Sequence, residues 1–157
     1  GFCWSLCGEM NRDIQHLKMQ KQILVYMMGE ITYLHRPMEE IFDMVSEKAG
    51  QPYDAFFQKV SQRMKERDGM TLLLIWNEMV QEMKMRTNVS HTGMGYLEKM
   101  GNCFAYEGGQ LQVEALGLFE MELDNEIDRL KTKKDENSRL IKALSTLTGI
   151  LCIILFL

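Results

Sequence analysis

Apolar residues recur at steps of three and four along nearly the whole chain, the spacing that lines them up on one face of a helix. From Glu9 to Leu34 that face carries Ile14, Leu17, Leu24, Met27, Met28, Ile31 and Leu34, which predicts one long helix. His35-Arg36 then precedes Pro37. A residue before proline is driven out of the helical region, so the first helix is expected to stop there. Pro37 suits the first turn of a second helix, and Glu39 and Glu40 follow where the helix dipole favours acids. The second stripe is Met38, Ile41, Phe42 and Val45, with Gly50 as its expected left-handed stop. Pro52 opens a third helix, Tyr53, Phe56, Phe57, Val60 and Met64 facing away from Lys59, Arg63 and Glu66. Asp68-Gly69 breaks it. Thr71 is the expected N-cap of a fourth helix bearing Leu72, Ile75, Trp76, Met79 and Met83. A fifth, weakened by glycines, is expected from about Thr92 to Phe104, with Leu97, Met100 and Phe104 inward. Glu107-Gly108-Gly109 turns the chain.

After Gln110 no proline or strong breaker interrupts the pattern, and Leu116, Phe119, Leu123, Ile127 and Leu130 keep one seam. A continuous helix from there to the end has 48 residues and a length of about 72 Å. No single face of a 157-residue domain accommodates that length, so part of it is expected to project. Gly117 and Gly149 are its internal weak points. Ala143 to Leu157 carries no charge at all. Counted from Leu140, the apolar end makes about 27 Å of helix against a bilayer core of about 30 Å. Lys142 is tolerable there because its stem lies along apolar surface while its ammonium reaches headgroups. Charge is sorted along this helix: Glu114, Glu120, Glu122, Asp124, Glu126 and Asp128 come first, without a base among them. Arg129, Lys131, Lys133, Lys134, Arg139 and Lys142 follow, against Asp135 and Glu136 only. Basic residues beside an apolar run favour the cytoplasmic side and anionic headgroups. These features predict a C-terminal membrane helix over 140–157 with a basic flank.

Two prolines and twelve glycines leave little material for a many-turned β fold. The expected fold is all-α, a bundle of about six helices whose long last helix runs into a membrane anchor. Hydrophobic content of 46% and charged content of 25% are ordinary for a globular domain. Fourteen methionines read as core filler. A net charge of −4 excludes bulk nucleic-acid binding, which needs a basic face. The chain begins at Gly1, and GFCWSLCG reads as the trailing end of an apolar span over residues 1–8, ahead of a bundle over 9–139.

Candidate chemistry is sparse. Cys3, Cys7, Cys103 and Cys152 lack a nearby histidine to complete a zinc site and read as small apolar residues. His16, His35 and His91 are isolated, and the phosphate-cradling lysine pattern is absent after Gly93-Met94-Gly95. Asn88-Val89-Ser90 matches a glycosylation acceptor that has meaning only in a secretory context. No enzyme, metal, cofactor or small-molecule substrate is therefore expected. Only convergence of two or more of the three histidines in one cleft would reopen a catalytic reading. Glu30 is either a solvated flank or a buried carboxylate bonded to Tyr33 or Arg36.

Glu30-Ile31-Thr32-Tyr33-Leu34-His35-Arg36-Pro37-Met38 resembles a Glu-Ile-x-Tyr-x-x-x-Pro-Leu pattern, with Met38 in place of the usual leucine. Trp76 in the fourth helix, Gln112 early in the last and Leu140 to Leu144 through Gly149 at the close match further positions in the same order. By these residues the chain resembles the stage III sporulation protein AB family of endospore-forming bacteria over nearly its whole length. It departs in carrying Ala105 and Gly108 where the family has Gly and Asp, and Gly1-Phe2-Cys3-Trp4 resembles the trailing end of the apolar span with which the family begins. The resemblance implies a bundle similar to the cytoplasmic domains of type II secretion and type IV pilus platform proteins. It implies a non-enzymatic component, without cofactor, of the complex linking mother cell and forespore. Its implied place is the mother-cell membrane facing the forespore, with the bundle in the cytoplasm. Implied partners are sibling stage III sporulation proteins, including the AA ATPase. The working surface it suggests is the corner of Glu30, Tyr33, Arg36 and Pro37, with Gln112. The alternatives are a soluble or tail-anchored helical adaptor, its last helix packed inside a dimer, and a platform protein of a secretion or pilus system.

Overall fold

The two longest apolar patterns become the two longest helices, and these lie side by side in opposite directions. α1 spans Phe2–Gly29 and α6 spans Gly109–Phe156 in the computed structural model, which describes residues 2–67, 69–106 and 109–157, with side chains from Gly8 onward. Lys21 Nζ lies 2.5 Å from Asp124 Oδ1, and Lys134 Nζ donates to Asn11 Oδ1. Numbers rise along α1 as they fall along α6, so the pair is antiparallel. Its seam is the one read from periodicity: Ile14, Leu17, Leu24 and Met27 are buried, as are Leu116, Phe119, Leu123, Ile127 and Leu130. Burying one such side chain contributes about 1.5–3 kcal/mol. α6 is a single helix of 48 residues, unbroken at Gly117 or Gly149.

Four shorter helices complete the bundle: α2 (Met38–Lys48), α3 (Tyr53–Lys65), α4 (Leu72–Arg86) and α5 (His91–Asn102). Six helices and no strand make up the described residues. Thr71 caps α4 as expected, its Oγ1 accepting from Leu74 N at 3.3 Å. Ser90 does the same for α5, accepting from Gly93 N at 3.1 Å, so α5 starts one residue before Thr92. α5 also stops earlier than its pattern suggested, and Cys103–Ala105 forms a 3₁₀ turn that keeps Phe104 buried. Pro37 is the N-cap of α2 rather than a residue of its first turn. Gly50 holds the expected position just after the C-cap Ala49 but is not left-handed; Ala49 is extended, and its N donates to Val45 O. The expectations for Gly1, for the side chains of Cys3 and Cys7, and for Asp68, Glu107 and Gly108 fall outside the described residues.

Trp76 sits at the centre of the core, fully buried. Phe56 and Phe104 approach it at ring distances of 4.9 and 5.1 Å, Phe57 at 5.6 Å and Phe42 at 6.0 Å. Its Nε1 donates to Leu97 O at 2.8 Å, which satisfies the indole's single donor. Space for the ring comes from Gly101 on α5: a Cβ there would lie 2.3 Å from Trp76 Cδ1.

Two buried polar residues escaped the apolar pattern, Gln20 and Ser61. Gln20 Nε2 donates to Tyr53 OH at 3.0 Å and to Gly93 O at 2.8 Å, tying α1 to α3 and α5. Tyr53 OH lies 3.2 Å from His16 Nδ1. With both Gln20 protons directed elsewhere, the phenol proton is free to go to that nitrogen. Burial pushes the Tyr53 phenol up to about 12, against the opposing Gln20 hydrogen bond. Ser61 Oγ donates to Asp43 Oδ1 at 2.6 Å, while Lys65 Nζ donates to Asp43 Oδ2 at 2.6 Å. Partial burial raises the Asp43 carboxyl, but these hydrogen bonds outweigh it and hold the group below its ordinary range.

Candidate functional site

The corner between α1 and α2 is built by a change of helical register. α1 ends at Gly29 and continues as a π-helical turn over Glu30–Leu34, a wider turn found often at functional sites. Ile31 stays buried, but the widened turn rotates Leu34 out of the seam and leaves it exposed, contrary to its periodic position. His35 closes the turn in the left-handed region at φ 49°, and Pro37 at φ −58° starts α2.

Glu30 is neither a free flank nor a partner of Tyr33. Its side chain is 12% exposed, and Oε2 lies 3.2 Å from Arg36 Nε. No donor lies in line with that oxygen, so the contact is ionic rather than a hydrogen bond. Arg36 Nη1 also lies 4.0 Å from Glu40 Oε2 across one turn of α2. The guanidinium thus spans the corner and ties the π turn to α2. Tyr33 stands 81% exposed beside it. The π turn packs against α6, and the antiparallel register places it by the first turns, which carry half-buried Gln112. Glu30, Tyr33, Arg36, Pro37 and Gln112 therefore share one end of the bundle. Tyr106 and Leu111, both exposed, lie at the same end. A raised exposure of Tyr106 has no mark in periodicity, because it lies in the turn before α6.

The opposite end carries the basic residues, and they divide into two groups. Arg129 is bound to Glu126, with Nη2 to Oε1 at 2.5 Å and Nε to Oε2 at 3.0 Å, and Lys134 is bound to Asn11. Lys131, Lys133, Arg139 and Lys142 are exposed, with no ion pair among the described residues. Beyond Lys142 every residue of α6 is exposed. Among the described residues α6 is the one helix long and apolar enough to cross a membrane.

His16 and His91 line one cleft of about 390 Å³ with Arg12, Asp13, Ser90 and Thr92. Two of the three histidines thus share one cleft, the condition for reopening a catalytic reading, but side chains that would serve it are already engaged. Ser90 Oγ is occupied as the α5 cap, and His16 Nδ1 faces Tyr53. Burial keeps the His16 imidazole below its ordinary value, with Asp13 opposing and Arg12 reinforcing the effect. His35 stands apart at the far corner. No group of three His, Cys, Asp or Glu able to hold a metal exists among the described residues. Burial raises the Cys103 thiol to about 11, far from a reactive thiolate.

The six helices thus form an α-helical bundle with a long projecting apolar helix and a polar corner at its far end. Its distinctive features are surfaces and a tail. The chain belongs to the stage III sporulation protein AB family, whose model matches residues 1–157. That is the family indicated by Glu30–Met38, Trp76 and Gln112. A solved structure described as stage III sporulation protein AB superposes with a TM-score of 0.67 at 13% identity, covering 77% of this chain and 94% of that one. At that identity the likeness speaks for the fold. None of the curated proteins compared matches the sequence.

Proposed function

We propose that this protein is a non-enzymatic structural component of the sporulation machinery, anchored in the mother-cell membrane by residues 140–157, with its bundle in the cytoplasm. Residues 1–8 are the trailing end of a second span, and residues 9–139 form the bundle. The observation that carries the reading is the continuation of α6 past Lys142 as a fully exposed apolar helix. In water such a surface is costly, and a bilayer removes the cost. Arg139 and Lys142 lie within about 6 Å of Ala143 along the axis, inside one Debye length of about 8 Å. They are the headgroup contacts. Arg129 lies about 21 Å away and is held by Glu126 of the same helix.

The corner of Glu30, Tyr33, Arg36, Pro37 and Gln112 is the partner surface. Its partners are sibling stage III sporulation proteins, the AA ATPase among them, within the complex linking mother cell and forespore. Exposure of Tyr33 beside an ion-paired, conformationally constrained turn supports this, since exposed aromatics on rigid supports make effective anchors. Sodium carbonate extraction of membranes tests the anchor: the full chain stays in the pellet, and deletion of residues 143–157 releases it. Release of the full chain would leave the soluble adaptor in its place. Glu30→Lys tests the corner by lowering spore formation with helical circular dichroism unchanged. A loss of helix would show that Glu30 serves folding instead.

A further inference from the structure

The outward side of α6, opposite its buried seam, is a second unpartnered surface. At steps of three and four it reads Leu111, Glu114, Leu118, Met121, Asn125 and Asp128. Leu118 is 70% exposed and Met121 63%. Val25 of α1 extends the apolar strip across the seam. It falls between Lys21, paired with Asp124, and Met28, which lies 3.7 Å from the position of a Cβ on Gly117. Of the acids on this part of α6, Glu122 is tied to Lys99, Asp124 to Lys21 and Glu126 to Arg129. Glu114, Glu120 and Asp128 have no ion pair among the described residues, although Lys21 lies in the field of Glu120 and Asp128; Glu114 and Asp128 bracket the apolar strip.

We propose that this strip docks a helix of another protein that presents apolar side chains flanked by lysine or arginine. Its apolar side chains cover Leu118, Met121 and Val25, and its bases meet Glu114 and Asp128. The charge decides among occupants. A second copy aligned in parallel would set Glu114 against Glu114 and Asp128 against Asp128. A second copy aligned antiparallel would send the two apolar tails in opposite directions, which the membrane-anchored reading forbids; the inference rests on that reading at this step alone. Leu118 and Met121 lie about 33–38 Å along the axis from Ala143, beyond the reach of headgroups.

A photoreactive phenylalanine analogue placed at Leu118 in the full chain, irradiated in sporulating cells, tests the docking. Met85, an exposed apolar residue on α4 outside the strip, is the matched control site. The expected adduct at Leu118 is to another protein, and sequencing of the cross-linked peptide reads apolar residues at helical spacing with flanking lysine or arginine. The double substitution Glu114→Lys and Asp128→Lys, both on the exposed face, lowers the adduct about tenfold with unchanged circular dichroism. Adducts no more abundant than at Met85, adducts to this chain itself or to lipid alone, an acidic cross-linked peptide, or indifference to the charge reversal would each overturn the proposal. Carbonate extraction of the same cells reports the anchor separately, so failure of that reading is told apart from failure of the docking.

Discussion

Gly101→Ala gives the sharpest test of how the core is packed. The new Cβ would lie 2.3 Å from Trp76 Cδ1, 2.8 Å from Nε1 and 2.9 Å from Cγ. The ring has nowhere to retreat, held by four phenylalanines and by the hydrogen bond from Nε1 to Leu97 O. Overpacking a core in this way costs about 1–3 kcal/mol. Displacing the indole leaves a buried donor unpaired, a further cost of about 1–3 kcal/mol. Alanine's better helix propensity returns about 1 kcal/mol. The balance is a loss of about 1–5 kcal/mol. For a chain of this size that lowers Tm by about 2–20 °C. Thermal and urea unfolding of the full chain in detergent, followed by far-ultraviolet circular dichroism, supplies the measurement. Gly95→Ala on the same helix is the control, because a Cβ there meets nothing within 4 Å. It should hold or raise stability by about 0.5–1 kcal/mol. Should Gly101→Ala behave like Gly95→Ala, the close approach of α5 to the indole is wrong.

Tyr53→Phe removes the hydroxyl that joins Gln20 and His16, leaving a buried Gln20 N–H unpaired, and should lower the urea-derived stability by about 1–3 kcal/mol. A loss below the error of the fit would mean the network is ornamental to stability. The His16 imidazole is held below its ordinary 6.5 by burial, so the unfolded chain takes up its proton first as pH falls. The stabilisation is full above about 6.5 and declines as pH drops toward the lower folded value. Urea midpoints measured across that range should fall for the parent and flatten for His16→Gln, and equal slopes would contradict the assignment.

Much of the architecture was legible because burial imposes a period. The stripes on α2, α3 and α4, and all five seam residues of α6, are buried or half-buried where spacing placed them. What spacing missed is chemistry it does not encode. Leu34 follows the α-helical period, yet the π turn changes the advance per residue before it arrives. Gly101 reads as a weak helical residue, whereas its value is the absent Cβ beside Trp76. Gln20 and Ser61 look like surface residues, because their burial depends on acceptors distant in the chain. At the corner, residue identities pointed to Glu30, Tyr33, Arg36 and Pro37; choosing Arg36 over Tyr33 as the partner of Glu30 required the fold of the turn. Division of the basic cluster into held and free cations likewise depends on Asn11 being at hand for Lys134, whereas the Arg129–Glu126 pair, three residues apart on one helix, is open to spacing.

The antiparallel pairing of α1 with α6 also has a mechanical side. A pull on residues 143–157 travels along one unbroken shaft and meets the seam from Leu130 to Leu116 lengthwise. Tension applied that way loads the contacts together, in shear, instead of peeling them apart one at a time. The Lys21–Asp124 and Lys134–Asn11 contacts act as cross-ties at two heights of the shaft. Force arriving through the tail is thereby shared along α1 and delivered to the far corner, where Arg36 clamps the π turn to α2.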